Sequence, residues 1–223
     1  MSEITTTSNG FEIEHPTEKL DFTRFKDMVE TYGIVGSSAS ERVASLKKIP
    51  VETVALFMTD LNKSLQGSET TLVHESVMKI GDRPTIEPQD RYDIFSDVVE
   101  SIKKSADDVN PARIGDALAL ATVLLHPFKD GNGRTARVMG YLFHDYYDAP
   151  DAEETFNQVA TSRDEVRARG DKNIVITYVP DMGRADRSNP DEVKQYLKSM
   201  LKDEDVRYMG LGGEYAHLKA IDK

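Results

Sequence analysis

Residues 126–137 read His-Pro-Phe-Lys-Asp-Gly-Asn-Gly-Arg-Thr-Ala-Arg, and this run forces a break between two helices. Ala117 to Leu125, just before it, is strongly apolar. Pro127 disfavours helical geometry at the residue it follows, so that helix ends at His126. Gly131 and Gly133 open backbone angles closed to other residues, and a new helix starts near Gly133 and runs through Met139 to Phe143. The chain therefore folds here as helix, short loop, helix. The His126 imidazole stands at the mouth of the loop and Phe128 anchors the loop to the domain.

The loop carries phosphate chemistry. Asp130 offers hard oxygen ligands of the type Mg²⁺ takes alongside phosphate oxygens. With side chains removed at Gly131 and Gly133, successive N–H groups converge on an anion, and the free N–H groups of the new helix face the same spot. Arg134 and Arg137 sit in its first turn, three apart and so on neighbouring sides of one face. The helix dipole disfavours cations there, and a polyanion lying between the two would explain them. Other readings of the run fail or are weaker. Asp-Gly-Asn-Gly taken alone is a turn signal. An EF-hand frame counted from Asp130 puts Arg134, Thr135 and Met139 where a ligand, Gly and Glu are wanted. A Walker A loop is missing because no glycine is followed at the right distance by Gly-Lys-Ser/Thr.

The run resembles, position for position, the signature His-x-Phe-x-Asp/Glu-Gly-Asn-Gly-Arg-x-x-Arg of Fic-domain proteins. That resemblance implies a mostly α Fic fold: a helical core with a short β-hairpin flap, here with a small C-terminal α/β extension. It also implies transfer of AMP from ATP to a Ser, Thr or Tyr hydroxyl of a target protein, with release of pyrophosphate. By the likeness His126 is the general base and Asp130 the Mg²⁺ ligand. Phe128, Gly131, Asn132 and Gly133 belong to the nucleotide-binding loop, with Asn132 and the flanking backbone at the α- and β-phosphates. Arg134 and Arg137 take the β- and γ-phosphates. The Doc branch, which phosphorylates its target, usually shows a shortened ending, and this chain has the longer one. Histidine suits the base role because it titrates near neutral pH.

The likeness also assigns a flap that pairs with the target backbone ahead of the signature. Thr70 to Ile80 is rich in β-branched and apolar residues and is followed by the turn signal Gly81-Asp82. The docking segment is then Leu72, Val73, His74, Glu75, Ser76, Val77, Met78, Lys79 and Ile80, aligning a target by strand addition. An ordinary hairpin covering the core is the alternative. Many Fic proteins are held off by a helix carrying Ser/Thr-x-x-x-Glu-Gly/Asn, whose Glu pairs with the last signature arginine, here Arg137. Ser37 and Glu41 are the best-placed match, but Arg42 departs from the pattern. A plain helix cap by Ser37 or Ser38 accounts for the same residues. A separate antitoxin chain is the other route to control.

Composition sets outer limits. A chain of 223 residues with 39% hydrophobic and 30% charged residues suits one domain with extensions: 1–34 with one helix, a catalytic core over 35–150, and 151–223. A net charge of −11 argues against nucleic acid and anionic membranes as partners. Zero cysteines exclude disulfides and a thiol nucleophile. The polar Met1–Gly10 has no apolar signal-peptide core, so the expected site of action is cytoplasmic, in the producing cell or in a host. Residues 1–16 are expected to be unstructured or loosely attached. Helices are expected after Asp21 to Gly33, over 40–48, 51–65 and 92–103, from Asn110-Pro111 to Leu125, and from Asn189-Pro190 to Lys202. Asn173–Val179 reads as a strand, and the acidic stretch from Asp145 to Glu154 as a solvated loop. Two other functions fit the same residues. One is a nucleotide-binding toxin–antitoxin or regulatory module with weak turnover. The other is a Fic enzyme that uses another donor or removes AMP.

Overall fold

A computed structural model describes residues 20–66, 84–161 and 186–201, and only the backbone of 4–6, 12–14, 79–80 and 83. The described elements are mostly helical. They run β1 (Ile4–Thr6), β2 (Glu12–Glu14), α1 (Phe22–Thr31), α2 (Ala39–Leu46), α3 (Val51–Gln66), β3 (Lys79–Ile80), β4 (Arg83–Pro84), α4 (Pro88–Lys103), α5 (Pro111–Leu125), α6 (Asn132–Leu142), a 3₁₀ turn (Asp145–Asp148), α7 (Ala152–Ala160) and α8 (Pro190–Ser199).

Helix α5 is the axis of the fold. Asn110 caps it by accepting the Ala112 N–H, and Pro111 fills the first turn, where no N–H is needed. From Ile114 to Leu125 nearly every residue is buried, as expected of a helix apolar on all sides. Helices α2, α4, α6 and α8 pack around it. The α5–α6 contact is the most intimate. A Cβ on Gly115 would lie 2.8 Å from the Gly140 carbonyl oxygen and 3.1 Å from the Phe143 Cβ. The two backbones can approach this closely because position 115 carries no side chain.

A second packing centre joins α1, α6 and α7. Phe25 stacks on Phe156 with centroids 4.9 Å apart, and Phe22, Tyr141 and Tyr147 complete the cluster. Burying one such ring stabilises by roughly 1.5–3 kcal/mol. The first and last helices share this core with the central ones. Arg42 then ties α2 to the end of α6. Its guanidinium is 1% exposed, donates to the Leu142 carbonyl (2.8 Å), and forms a two-pronged pair with Asp148 (2.8 Å each) above the Tyr147 ring. Helix α8 is fastened by Lys194 and Lys198, which both reach Asp97 on α4.

Several expectations shift. Residues 1–16 contain an antiparallel pair, with Ile4 opposite Glu14 and Thr6 opposite Glu12; the Ile-Thr-Thr run favours extended backbone. Helix α4 begins at Pro88, ahead of the expected start, because proline at the first helical position is itself a start signal. The acidic stretch is not one solvated loop. Asp148 is held by Arg42, while Glu153 and Glu154 lie in the first turn of α7, where carboxylates complement the dipole and Phe156 and Val159 turn inward. Strand β3 pairs with β4, Lys79 opposite Pro84 and Ile80 opposite Arg83. The rest of the expected flap, Leu72–Met78, lies outside the described residues, as does the expected strand at 173–179. Among the described residues no helix is long and apolar enough to cross a membrane.

Replacing Gly115 with valine drives a branched side chain into the Gly140 carbonyl. It should lower stability to urea unfolding by roughly 1–3 kcal/mol despite the better helix propensity of valine.

Candidate active site

The six residues between α5 and α6 are held from within and from behind. His126 ends α5 by donating its N–H to the Thr122 carbonyl (3.2 Å). It does so in the left-handed region, with φ 49° and ψ 54°, alone among described non-glycine residues in having positive φ. Such a backbone costs of order 1–3 kcal/mol and persists only where its surroundings enforce it. Here Pro127 bars the right-handed alternative, and the buried Phe128 ring pins the next turn of the loop. The strained residue is also the one histidine among the six loop residues.

Asn132 closes the loop. Its Oδ1 accepts the Phe128 N–H (3.0 Å) and its Nδ2 donates to the Phe128 carbonyl (2.7 Å). The side-chain amide is therefore spent on the loop itself. Gly131 caps α6 at φ 77°. A Cβ there would also lie 1.6 Å from the Gln66 amide nitrogen and 2.9 Å from the Asn62 Nδ2. Gly133 has open space, with only Arg137 Nη1 nearby at 3.9 Å. Asp130 is exposed, and its Oδ1 accepts the Gly131 N–H (2.6 Å).

Helix α3 braces the loop from behind. Asn62 is fully buried, and its Nδ2 donates both to the Asp130 carbonyl (3.0 Å) and to Thr135 Oγ1 (2.9 Å). It fixes the backbone that carries the carboxylate. Sequence reasoning missed it, although a signal existed: an amide on a helix face otherwise made of Val54, Met58, Leu61 and Leu65 is a buried polar group in need of a partner. Arg91, 1% exposed at the start of α4, was missed as well. Its Nε donates to the Ile86 carbonyl (3.0 Å) and its Nη2 to Thr85 Oγ1 (3.3 Å), which fixes the chain as it leaves β4. Burial pushes its pKa below the usual arginine value, with Glu87 opposing.

The two signature arginines are drawn to the ends of different helices. Arg134 Nη1 donates to the Leu65 carbonyl at the end of α3 (2.5 Å). Arg137 is 4% exposed; its Nε donates to the Val159 carbonyl (2.9 Å) and its Nη2 to the Thr161 carbonyl (2.6 Å), at the end of α7. Arg134 lies in the first turn of α6, as expected, but Arg137, the sixth residue of a helix that starts at Asn132, lies in its second turn. The unfavourable positive end of α6 is offset by the negative ends of α3 and α7. Each charged bond to a carbonyl is worth roughly 1.5–3 kcal/mol.

Glu41 makes a helix cap. Ser38 is the N-cap of α2, its Oγ accepting the Glu41 N–H (3.3 Å). The Glu41 Oε2 accepts from the Ser37 N–H (2.7 Å) and the Ser37 hydroxyl (2.8 Å), which holds its carboxyl below the usual carboxylate range. The contact with Arg137 that inhibition would need is not made here, since that guanidinium serves α7.

The donor set suits Mg²⁺ carried by a nucleotide. No group of three or more His, Asp or Glu side chains gathers among the described residues. Mg²⁺ held through one carboxylate and phosphate oxygens needs none, and the exposed Asp130 is the carboxylate of this loop.

Residues 84–144 match the model of the Fic/DOC family. The match contains the loop with α4, α5 and α6, but neither α3 in front of it nor α7 behind. No curated protein and no solved structure matches the chain.

The two loop glycines should respond oppositely to alanine. Gly131→Ala meets both a left-handed backbone and Gln66, and should cost about 1–3 kcal/mol of stability. Gly133→Ala should be neutral or stabilising by up to about 1 kcal/mol, because it only improves helix propensity. Thermal unfolding of the two variants side by side checks this.

Proposed function

We propose that this Fic-domain protein transfers a nucleoside monophosphate, AMP from ATP in the simplest case, to a hydroxyl of a target protein. The observation that carries the reading is the strained His126, set at the loop mouth and followed by an exposed Asp130 and the open N-terminus of α6. Base, metal-ligating carboxylate and anion-binding amides then lie within one braced loop.

The chemistry uses these parts in turn. The oxygen of a target Ser, Thr or Tyr attacks the α-phosphorus, and its proton passes to the His126 imidazole. The bond from the α-phosphorus to its bridging oxygen breaks, and pyrophosphate leaves. Rigid mounting matters here because phosphoryl-type transfer depends mainly on position and charge stabilisation. The free N–H groups of α6 and the Arg134 guanidinium stabilise phosphate charge as the bond breaks. Asp130 would hold Mg²⁺, whose contribution when bound is to neutralise the phosphate oxygens. A protein target docks through strand addition at the segment leading into Ile80, and control by a separate antitoxin fits the same family. Inhibition by Glu41 requires it to leave Ser37 and requires Arg137 to leave α7.

A nucleotide-binding module without turnover would have no need of a base. His126→Ala separates the two readings. With α-labelled ATP and Mg²⁺, the wild-type chain should label itself or a protein in a lysate, and the variant should lose roughly 10²–10⁴-fold in rate. Equal labelling by the variant would remove the base assignment. A second expectation concerns Asn62: Asn62→Leu releases the Asp130 carbonyl and should raise the Mg²⁺ concentration needed for half-maximal labelling. If that concentration is unchanged, the bracing role is wrong.

A further inference from the structure

We infer that Gln66, the last residue of α3, is a phosphate-binding residue of the nucleotide site and acts there beside Arg134. The inference rests on the nucleotidyl-transfer reading above and adds to its site a residue from outside the signature.

The end of α3 meets the start of α6. Arg134 Nη1 donates to the Leu65 carbonyl, and Asn62 Nδ2 donates to the Asp130 carbonyl and to Thr135 Oγ1. Gln66 stands four residues beyond Asn62, on the same face of α3. Its amide lies against Gly131, the N-cap of α6. A Cβ at that glycine would fall 1.6 Å from Gln66 Nε2 and 2.5 Å from Gln66 Cδ. The glycine thus makes room for the amide, and the amide reaches the turn whose N–H groups lack partners within the helix.

Three side-chain atoms at this junction are buried and make no hydrogen bond: Gln66 Nε2, Arg134 Nε and Asn62 Oδ1. Two of them are donors. A buried donor left unbonded is costly, and a folded chain that keeps two together at one helix start calls for an acceptor there. An anion oxygen at the α6 N-terminus accepts from both, with the guanidinium supplying charge and the amide a directed neutral bond.

The unbonded acceptor, Asn62 Oδ1, defines the competing role. Turned back along α3, the Gln66 amide would donate to it and brace the loop without touching a ligand. The two amides are not equally free, however. Asn62 is fully buried and both of its Nδ2 bonds are made. Gln66 is partly exposed, and its Nε2 has no bond to break before it swings toward a phosphate.

Calorimetric titration of the full chain with ADP and ATP in Mg²⁺, beside thermal unfolding without nucleotide, separates the two roles. Gln66→Leu keeps an apolar stem and removes the donor. It should leave the unfolding temperature unchanged or raised, because the lost donor had no partner, and should weaken both nucleotides by about tenfold. Gln66→Glu keeps the shape but sets a carboxylate against the phosphates, and should weaken both nucleotides further than leucine does. Affinities within about twofold of the wild type in both variants overturn the inference, whatever the unfolding temperature does. Weaker binding that comes with a lower unfolding temperature in both variants is the mark of a brace and overturns it as well. If Gln66→Leu does not fold, Gln66→Glu decides alone on the same criteria. Should the wild-type chain bind neither nucleotide, the nucleotidyl-transfer reading falls and takes the inference with it; wild-type binding with unaffected variants removes only the inference.

Discussion

The close crossing of α5 and α6 at Gly115 and Gly140 is the constraint on which the site depends. Two backbones in contact at that depth cannot slide or rotate independently. The end of α5 and the start of α6 are therefore set relative to each other before any loop residue is considered. Six residues must then join them, and the join is too tight for relaxed geometry throughout. The strain appears at His126, the residue proposed above as the general base. The Gly115 crossing and the strained His126 lie at the middle and the end of the same helix, so the packing of α5 carries through to the loop.

Three helix ends meet around the loop, and their dipoles explain its charge pattern better than the loop does alone. The positive start of α6 faces the loop, and the negative ends of α3 and α7 receive Arg134 and Arg137. In a chain with net charge −11, two cations at the wrong end of a helix invite a search for an external polyanion. Much of the needed negative charge is supplied internally by backbone carbonyls. The arrangement leaves the two guanidiniums unequal. Arg134 keeps a buried donor without a partner, whereas both carbonyl bonds of Arg137 serve the fold.

The helices were legible in the sequence where caps and periodicity agreed. Asp21, Ser38, Asn110 and Asn189 all cap the helices they precede. The loop was legible because proline and glycine act locally, within one or two residues. What the sequence hid was what depends on contacts across many positions. Asn62 reaches a carbonyl 68 residues away, and Arg42 reaches Asp148 across 106. Nothing local distinguishes such residues from surface polar ones except their place on an apolar face. Helix α7 was hidden for another reason: its acidic first turn looks like a solvated loop until Phe156 and Val159 are seen to share one side.

The supports of the site lie largely outside the segment that matches the family. Asn62 and Leu65 come from before residue 84, and Val159 and Thr161 from beyond residue 144. A signature fixes which side chains are present, but the flanking helices decide which of their donors remain available. The same twelve residues on a scaffold without α7 would leave the Arg137 guanidinium to find another acceptor. Phe22, Phe25 and Phe156 hold α7 in place, and with it the carbonyls that bind the Arg137 guanidinium.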